Sequence, residues 1–213
     1  MELLAKKRIV VVGGANGIGA ATVRWCLEAG AAQVVIADFD SNAGGNLAAD
    51  LIAEYGEGVE FQPMNVRRED EVEALFDYYA AQGPINGVVY AAGVMAGAYE
   101  RVDEANLMDF QRVVETNLTG AFLCAKYATP LLMQSQGVLV LVASIAGVVS
   151  PSSSAAYGAS KGGVYGLGMT LELQLAAVGV RAHTVCPGNI ATQLKFDILD
   201  KEAQLRRRPM RDV

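Results

Sequence analysis

Tyr157 and Lys161, in the segment AAYGASKGG, have the residue types and the spacing of a general acid/base pair. Residues four positions apart lie on the same face of an α-helix, so the ammonium group can lie beside the phenol. A free tyrosine has a pKa near ~10, too high for proton transfer at neutral pH, and a neighbouring cation lowers it. The pair therefore indicates proton transfer to a carbonyl oxygen or from an alcohol, although an ordinary helix-surface pair has the same spacing.

A glycine-rich segment, VGGANGIG, follows the first apolar run and leads into a predicted helix. Gly13, Gly17 and Gly19 permit a tight turn and the close approach of backbone to a pyrophosphate at a helix N-terminus. Their spacing, G-x-x-x-G-x-G, differs from the common dinucleotide motif G-x-G-x-x-G, and a plain turn can have the same composition. The position between a strand and a helix favours dinucleotide binding.

Asp38 closes the second apolar run, VVIADFD. A carboxylate at this place accepts hydrogen bonds from the adenosine ribose hydroxyls of NAD and repels the 2′-phosphate of NADP. Neither the glycine-rich segment, where Asn16 lies, nor the positions after Asp38 contain an arginine or a lysine. We therefore expect NAD as the cofactor. The alternative role for Asp38, capping the next helix, suits Asp40 or Ser41 better.

Short apolar runs alternate with longer helical segments along the whole chain. Runs without period-two alternation predict strands buried on both faces of a parallel sheet, here over 8–12, 33–37, 59–62, 87–91, 137–143 and 180–185. Helices are predicted over 17–29, 41–55, 68–82, 104–134, 155–178 and 192–206. This order predicts one doubly wound, Rossmann-like α/β domain over residues 1–213, with helices on both faces of the sheet.

The composition excludes several classes of protein. With 213 residues, a hydrophobic fraction of 52% and a net charge of −6, the chain predicts a globular domain without nucleic-acid or anionic-membrane partners. The run RRRPMR is basic but short, as in a solvated terminus. We find no signal peptide and no apolar stretch of membrane-spanning length. Three cysteines without metal-ligand spacing indicate reduced thiols, no metal site and a cytoplasmic location.

Taken together, these segments resemble the short-chain dehydrogenase/reductase family over nearly the whole chain. Four further segments are similar to motifs of that family. YAAG (90–93) resembles its Asn-Asn-Ala-Gly element, and CPGNIAT (186–192) resembles its P-G-x-x-x-T segment. Asn117 in ETNLTG resembles its helix asparagine, and Ser144 in VASIAG its catalytic serine. Each motif is modest alone, but their order along the chain is specific.

The resemblance implies an NAD(H)-dependent oxidoreductase that interconverts a secondary alcohol and a ketone by hydride transfer. Tyr157 is the implied general acid/base, and Lys161 lowers its pKa and binds the nicotinamide ribose. Ser144 holds the substrate oxygen, and Asn117 fixes a water relay to Lys161. The residues implied to contact NAD are Gly13, Asn16, Gly17, Ile18, Gly19, Asp38, Phe39, Asn65, Val66, Tyr90, Ala92, Gly93, Tyr157, Lys161, Pro187, Gly188, Ile190 and Thr192.

The chain departs from the family pattern at four positions of the predicted cofactor edge. Val12 stands where the family has threonine, and Asn65 where it has aspartate. Tyr90 and Ala91 replace two asparagines, which we expect to weaken NAD binding. These departures keep open a second function, a catalytically silent dinucleotide-binding or scaffold protein. The intact set of four residues assigned to catalysis argues for an enzyme.

The C-terminus predicts a further departure, since family members continue with a seventh strand and another helix. The sequence ends at RRRPMRDV, so we expect the last strand of the usual fold to be missing and the sixth strand to be an exposed edge. Residues 145–156 and 189–206 are predicted to line a partly nonpolar pocket for a small-molecule alcohol or ketone. The resemblance also implies a homo-oligomer, a dimer or a homotetramer, formed through helices 104–134 and 155–178.

Overall fold

The β-branched runs of the sequence form parallel strands in a computed structural model that describes residues 2–207. Met1 and residues 208–213, which include most of the basic run RRRPMR, lie outside the described residues. Each strand begins and ends within one residue of its predicted bounds. The strands are β1 (Arg8–Val12), β2 (Gln33–Asp38), β3 (Val59–Pro63), β4 (Gly87–Tyr90), β5 (Val138–Val142) and β6 (Arg181–Val185), in the spatial order β3-β2-β1-β4-β5-β6.

Helices connect the strands and pack on both faces of the sheet, so the predicted doubly wound α/β fold is confirmed. The helices are α1 (Gly17–Glu28), α2 (Ser41–Tyr55), α3 (Glu69–Ala80), α4 (Leu107–Val114), α5 (Gly120–Ser135), α6 (Ala155–Ala176) and α7 (Gln193–Arg206). Asp40 caps α2, because its carboxylate accepts hydrogen bonds from the backbone N–H groups of Asn42 and Ala43. Asp38 therefore does not cap α2, as predicted.

The prediction of one unbroken helix over 104–134 is wrong. Helix α4 begins at Leu107, because the Asn106 side chain accepts a hydrogen bond from the N–H of Met108 and caps the helix there. A π-helical turn, Glu115–Thr119, then separates α4 from α5. Such turns insert an extra residue into a helix and often occur at functional sites.

Tyr90 explains how the fold accommodates the π-helical turn. Its side chain is fully buried, and its hydroxyl donates a hydrogen bond to the backbone carbonyl of Thr116 inside the turn. Gly120 leaves the space for this contact, since a side chain there would clash with the Tyr90 hydroxyl. The phenol therefore links β4 to the turn.

Alternate residues of the central strand β1 pack on opposite faces of the sheet, as the period of a strand requires. Val10 belongs to the cluster that contains Phe76 of α3, whereas Val11 belongs to the cluster that contains Leu51 of α2. Each of these four side chains is almost completely buried. Burial of one such side chain contributes roughly 1.5–3 kcal/mol to stability, so the two clusters stabilise the sheet from both faces.

One face of β4, β5 and β6 is covered less than the other. Within residues 2–207, β6 pairs only with β5, which leaves the predicted exposed edge. On the less covered face of β4, β5 and β6 lies an apolar cavity of about 340 Å³, lined by Val89, Val140 and Val185 and by Trp25 of α1. In the part of the chain that the structure describes, no helix is long and apolar enough to span a membrane.

Candidate active site

The candidate site lies at the carboxyl edge of the sheet, where the loops after the strands meet. In a parallel sheet with the order 3-2-1-4-5-6, the connections after β1 and β4 diverge and leave a crevice between them. Gly13 follows β1, Asp38 ends β2, and Ser144 and Pro187 follow β5 and β6. Residues that are far apart in the sequence are therefore brought to one edge.

Tyr157 and Lys161 lie on one face of α6. The Lys161 ammonium nitrogen is 5.8 Å from the centroid of the Tyr157 ring. It is buried and donates a hydrogen bond of 2.7 Å to the backbone carbonyl of Val142, the last residue of β5. The Ser144 hydroxyl, two residues further on, is close enough to the Tyr157 phenol to lower its pKa. The three polar side chains thus converge on the end of β5.

The protein groups alone do not lower the pKa of Tyr157, contrary to the expectation from the sequence. Burial raises the pKa of this phenol, and the nearby Ser144 hydroxyl only partly opposes the effect. Burial also lowers the pKa of Lys161 to about 8, opposed by the neighbouring Cys186. The reason is desolvation, which disfavours a charged lysine and a charged phenolate alike.

Asn117 lies in the π-helical turn and is fully buried. Its side-chain oxygen accepts a 2.8 Å hydrogen bond from the N–H of Val94, and its amide nitrogen donates to the Val94 carbonyl at 3.0 Å. A methyl group at Gly93 would lie 3.4 Å from the Lys161 nitrogen and 3.5 Å from the Asn117 oxygen. Asn117 therefore fixes the loop after β4 and lies close to the lysine.

Two serines that we did not predict position the catalytic helix. Ser154 caps α6 by accepting a 3.1 Å hydrogen bond from the N–H of Tyr157, and it donates to the Ala96 carbonyl. Ser160 accepts a hydrogen bond from Asn117 and donates to the Tyr157 carbonyl. Ser154 carries a recognisable signal, a serine directly before a helical segment. Ser160 carries none, because its partner Asn117 is 43 residues away.

Two connected clefts meet at the Tyr157 face. The first has a volume of about 490 Å³, and most predicted cofactor residues line it: Gly13, Asn16, Gly17, Ile18, Asp38, Phe39, Asn65, Val66, Ala92, Gly93 and Thr192. The second has a volume of about 440 Å³ and is lined by six further predicted residues, Ser144, Tyr157, Lys161, Pro187, Gly188 and Ile190, whereas Asn117 lines neither cleft. Ile18, Gly93 and Thr192 line both clefts, which are therefore continuous.

Gly19 and Tyr90 do not line either cleft, although both were predicted as cofactor contacts. Gly19 is buried under the loop after β1, and a side chain there would clash with the Gly13 carbonyl. It therefore permits the close packing of α1 on the loop. Tyr90 points into the core toward the π-helical turn, because its phenol is too long to remain at the sheet edge.

Asp38 makes structural contacts, is only partly buried and lines the first cleft. One carboxylate oxygen accepts a 2.9 Å hydrogen bond from the N–H of Ala15, and the other accepts one of 3.0 Å from the N–H of Asp40. Each oxygen retains a further lone pair that can accept a ligand hydroxyl. Arg67 and Arg112, which we did not predict, line the same cleft.

The glycine-rich loop fits a dinucleotide. Gly13 has a φ of +75°, and a Cβ at this residue would clash with the backbone of Ala92 on the loop after β4. Only glycine allows these two loops to approach so closely while the cleft between them stays open. The cleft is open, and the glycine-rich loop at the start of α1 has few side chains. Together with the acceptors on Asp38, these features match the shape and chemistry of a nicotinamide dinucleotide.

Comparison with known proteins agrees with this geometry. The profile of the short chain dehydrogenase family matches residues 7–203. The chain belongs to the short-chain dehydrogenase family. A cis-4-hydroxycyclohexanecarboxylate dehydrogenase of Sinomonas cyclohexanicum is 37% identical to it over 91% of this chain and 77% of that protein. An L-fucose dehydrogenase of Rattus norvegicus is 34% identical over 88% of this chain and 67% of that protein.

Two solved structures have the same fold. The crystal structure of gox2181 matches 96% of this chain and 79% of its own, with a TM-score of 0.86 and 30% identity. The sorbitol-6-phosphate 2-dehydrogenase SrlD from Erwinia amylovora gives the same TM-score at 26% identity, covering 96% of this chain and 80% of its own. This short-chain dehydrogenase is therefore a member of a family of oxidoreductases that act on alcohols and ketones.

Proposed function

We propose that this short-chain dehydrogenase is an NAD(H)-dependent enzyme that interconverts a secondary alcohol and a ketone. The observation that carries the proposal is the convergence of Tyr157, Ser144 and Lys161 where the two clefts join. A protein that only bound a dinucleotide would need the first cleft but not a phenol, a hydroxyl and a buried amine beside the second.

Tyr157 acts as the general acid/base in this proposal. In the reducing direction its phenol donates a proton to the carbonyl oxygen, and in the oxidising direction its phenolate removes the proton from the alcohol. Ser144 donates a hydrogen bond to the same oxygen and stabilises the charge that develops on it. A nicotinamide held where the second cleft adjoins the first, beside Tyr157, would supply or accept the hydride.

Lys161 and Asn117 complete the proton path. Lys161 binds the nicotinamide ribose and, when protonated, stabilises the Tyr157 phenolate electrostatically. The raised pKa of Tyr157 and the lowered pKa of Lys161 both favour neutral groups, so the phenolate depends on additional positive charge from the oxidised nicotinamide. Asn117, next to Lys161, holds a water relay from the lysine to solvent. The loop around Pro187, Gly188 and Ile190 holds the nicotinamide.

NAD is the proposed cofactor because Asp38 offers two carboxylate oxygens to ribose hydroxyls and repels a 2′-phosphate. We expect NADH to bind at least ~10-fold more tightly than NADPH, the difference that one charged hydrogen bond provides. Asp38→Ala should weaken NADH binding and reduce the ratio of the two affinities. Isothermal titration with each nucleotide measures both effects.

Asp40→Ala is the matched control for this prediction, since Asp40 lies two residues away and caps α2. It should lower thermal stability but leave the ratio of NADH to NADPH affinity unchanged. Equal affinity of the wild-type protein for the two nucleotides, or an unchanged ratio in Asp38→Ala, would contradict the role of Asp38.

A panel of secondary alcohols with NAD tests the activity. It should include compounds named for the relatives, cis-4-hydroxycyclohexanecarboxylate and L-fucose, together with alcohols of other shapes. We expect at least one to produce NADH, followed by absorbance. Tight binding of NADH with no oxidation of any alcohol and no reduction of the matching ketones would favour the silent-binder function instead.

We further propose a homo-oligomer, a dimer or tetramer, in which α5 and α6 pack against their counterparts. Phe122 and Met133 of α5 and Met169 and Leu173 of α6 are exposed apolar side chains, which protein interfaces commonly use. Light scattering should give two or four times the protomer mass, and Leu173→Glu should lower it. A monomeric mass at micromolar concentration would contradict the proposal.

The cytoplasm is the compartment that we propose. Cys26, Cys124 and Cys186 are all free thiols, and burial raises the pKa of Cys26 to about 11. Cys26 and Cys124 are buried, Cys186 is partly buried, and free thiols of this kind suit a reducing compartment. Fractionation of the source cells with an antibody to the protein would test this location.

A further inference from the structure

The second cleft contains a positively charged group that the proposed chemistry does not use. Two charged side chains of the described residues line it, and both are lysines, Lys161 and Lys195. The whole chain has 23 acidic and 17 basic residues, yet no acidic residue lies in this lining. Because Lys161 is assigned to Tyr157 and the nicotinamide ribose, Lys195 is the cation left to meet the substrate.

Lys195 lies in the first turn of α7 and is half buried. The other two cations of this helix pair with carboxylates: Lys201 with Glu100 at 3.2 Å and Arg206 with Glu202 at 2.6 Å. Over residues 2–207, no carboxylate lies within 4.0 Å of the Lys195 ammonium group.

The acidic residues of α7 nearest to Lys195 in the sequence are occupied elsewhere. Asp197 accepts a 2.7 Å hydrogen bond from Gln193, and Asp200 accepts one of 2.7 Å from Gln204. These amide contacts hold the carboxylates along the helix surface. A half-buried lysine without an acidic partner in a cavity therefore has an unmet preference for an anion.

The walls around Lys195 are mainly apolar or neutral. Met95, Ile145 and Ile198 contribute apolar surface, and Ser150 and Ser152 contribute hydroxyl or backbone hydrogen-bonding groups. A cleft with apolar and neutral polar walls and one cation not assigned to the cofactor suits a ligand with a largely hydrocarbon body and one anionic group. The volume of about 440 Å³ is that of a small molecule rather than of a polymer.

We infer that Lys195 determines substrate specificity by binding an anionic group, a carboxylate or phosphate, of an otherwise apolar alcohol or ketone. This inference rests on the proposed function, because it treats the second cleft as the substrate site. The cofactor pyrophosphate is the other anion that could meet Lys195. Gln193 and Leu194, but not Lys195, line the first cleft, which favours the substrate as the source.

A pair of probes of equal shape tests the inference without requiring turnover. Cyclohexanecarboxylate and cyclohexanecarboxamide differ in charge, and their affinities can be measured by isothermal titration with and without NADH. We expect the wild-type protein to prefer the carboxylate by about tenfold, the effect of one charged hydrogen bond. Lys195→Met should abolish this preference, and Lys195→Arg should retain most of it.

Lys201→Met is the matched control, because it removes a lysine of the same helix that lies outside the lining of the cleft. It should leave the carboxylate preference and the NADH affinity unchanged. Lys195→Met should likewise leave the NADH affinity within about twofold of the wild type. A change in Kd of that size corresponds to almost no change in binding free energy.

Several results would overturn the inference. These are equal affinity for the two probes, no carboxylate binding at millimolar concentration, or an undiminished preference in Lys195→Met. Weaker NADH binding in Lys195→Met with the preference retained would assign the lysine to the cofactor pyrophosphate. Failure of the proposed function would give a different result: the protein would neither bind NADH nor turn over any alcohol, while its preference for the carboxylate probe would remain.

Discussion

Replacing Tyr157 by phenylalanine is expected to lower kcat for alcohol oxidation by about 10³-fold, the usual contribution of a positioned general acid/base. The ring remains and fills the same space between Ser144 and Lys161, so only the proton-transferring hydroxyl is lost. NADH affinity should stay within about twofold of the wild type, because the predicted change does not affect binding in the ground state. Steady-state kinetics and titration with NADH measure the two effects.

Tyr165→Phe is the control for this prediction. Tyr165 lies eight residues further along α6, is exposed and does not line either cleft. The substitution removes a hydroxyl from the same helix but outside both clefts, so kcat should be unchanged. If Tyr157→Phe retained more than about a tenth of the wild-type kcat, general acid/base catalysis by this phenol would be excluded.

The pH dependence should follow the protonation of the same hydroxyl. Burial raises the pKa of Tyr157 in the protein alone, so oxidation, which needs the phenolate, should become faster as the pH rises. Reduction, which needs the phenol, should become slower over the same range. Profiles of kcat/KM in both directions, measured with the alcohol and the ketone that the panel identifies, would show this opposition.

The strands and their parallel, doubly wound arrangement were predictable because the responsible signals are local. Runs such as RIVVV and QVVIAD are continuous, β-branched and separated by helical segments, which leaves a doubly wound parallel sheet as the simplest arrangement. The spacing of Tyr157 and Lys161 is also local, since four residues in a helix determine a shared face. That they meet Ser144 follows from its position at the end of β5.

The features that were missed depend on contacts between distant segments. The π-helical turn at Asn117 accompanies a contact between the Tyr90 phenol and the Thr116 carbonyl, 26 residues apart. No periodicity within residues 104–134 encodes that contact. The sign of the pKa shift of Tyr157 was also not predictable, because the spacing reveals the neighbouring cation but not how strongly the fold desolvates both groups.

Substituting Lys161 by methionine is expected to lower kcat by about 10²- to 10³-fold, because the phenolate of Tyr157 loses its neighbouring cation. The same substitution should change how stability depends on pH. Burial lowers the pKa of Lys161 from 10.5 to about 8, so the folded protein carries an unfavourable buried charge below pH 8. Methionine has a similar length and no charge, and its variant is free of this cost.

The sign of the pH effect follows from the protons bound in each state. Between pH 8 and 10.5 the folded protein has released the Lys161 proton while the unfolded chain still binds it, so stability rises with pH. From pH 7 to pH 10 the wild-type protein should therefore gain about 2 kcal/mol of unfolding free energy relative to Lys161→Met. Urea unfolding of both proteins at the two pH values, without nucleotide, measures this difference.

Tyr157→Phe controls for the loss of activity in this experiment. It is expected to be inactive yet retains Lys161, so its stability should change with pH as the wild-type stability does. A constant difference between the wild type and Lys161→Met at pH 7 and pH 10 would mean that the lysine keeps its ordinary pKa. In that case the buried amine would keep its charge up to pH 10 in the protein alone, and desolvation would not be the dominant influence on it.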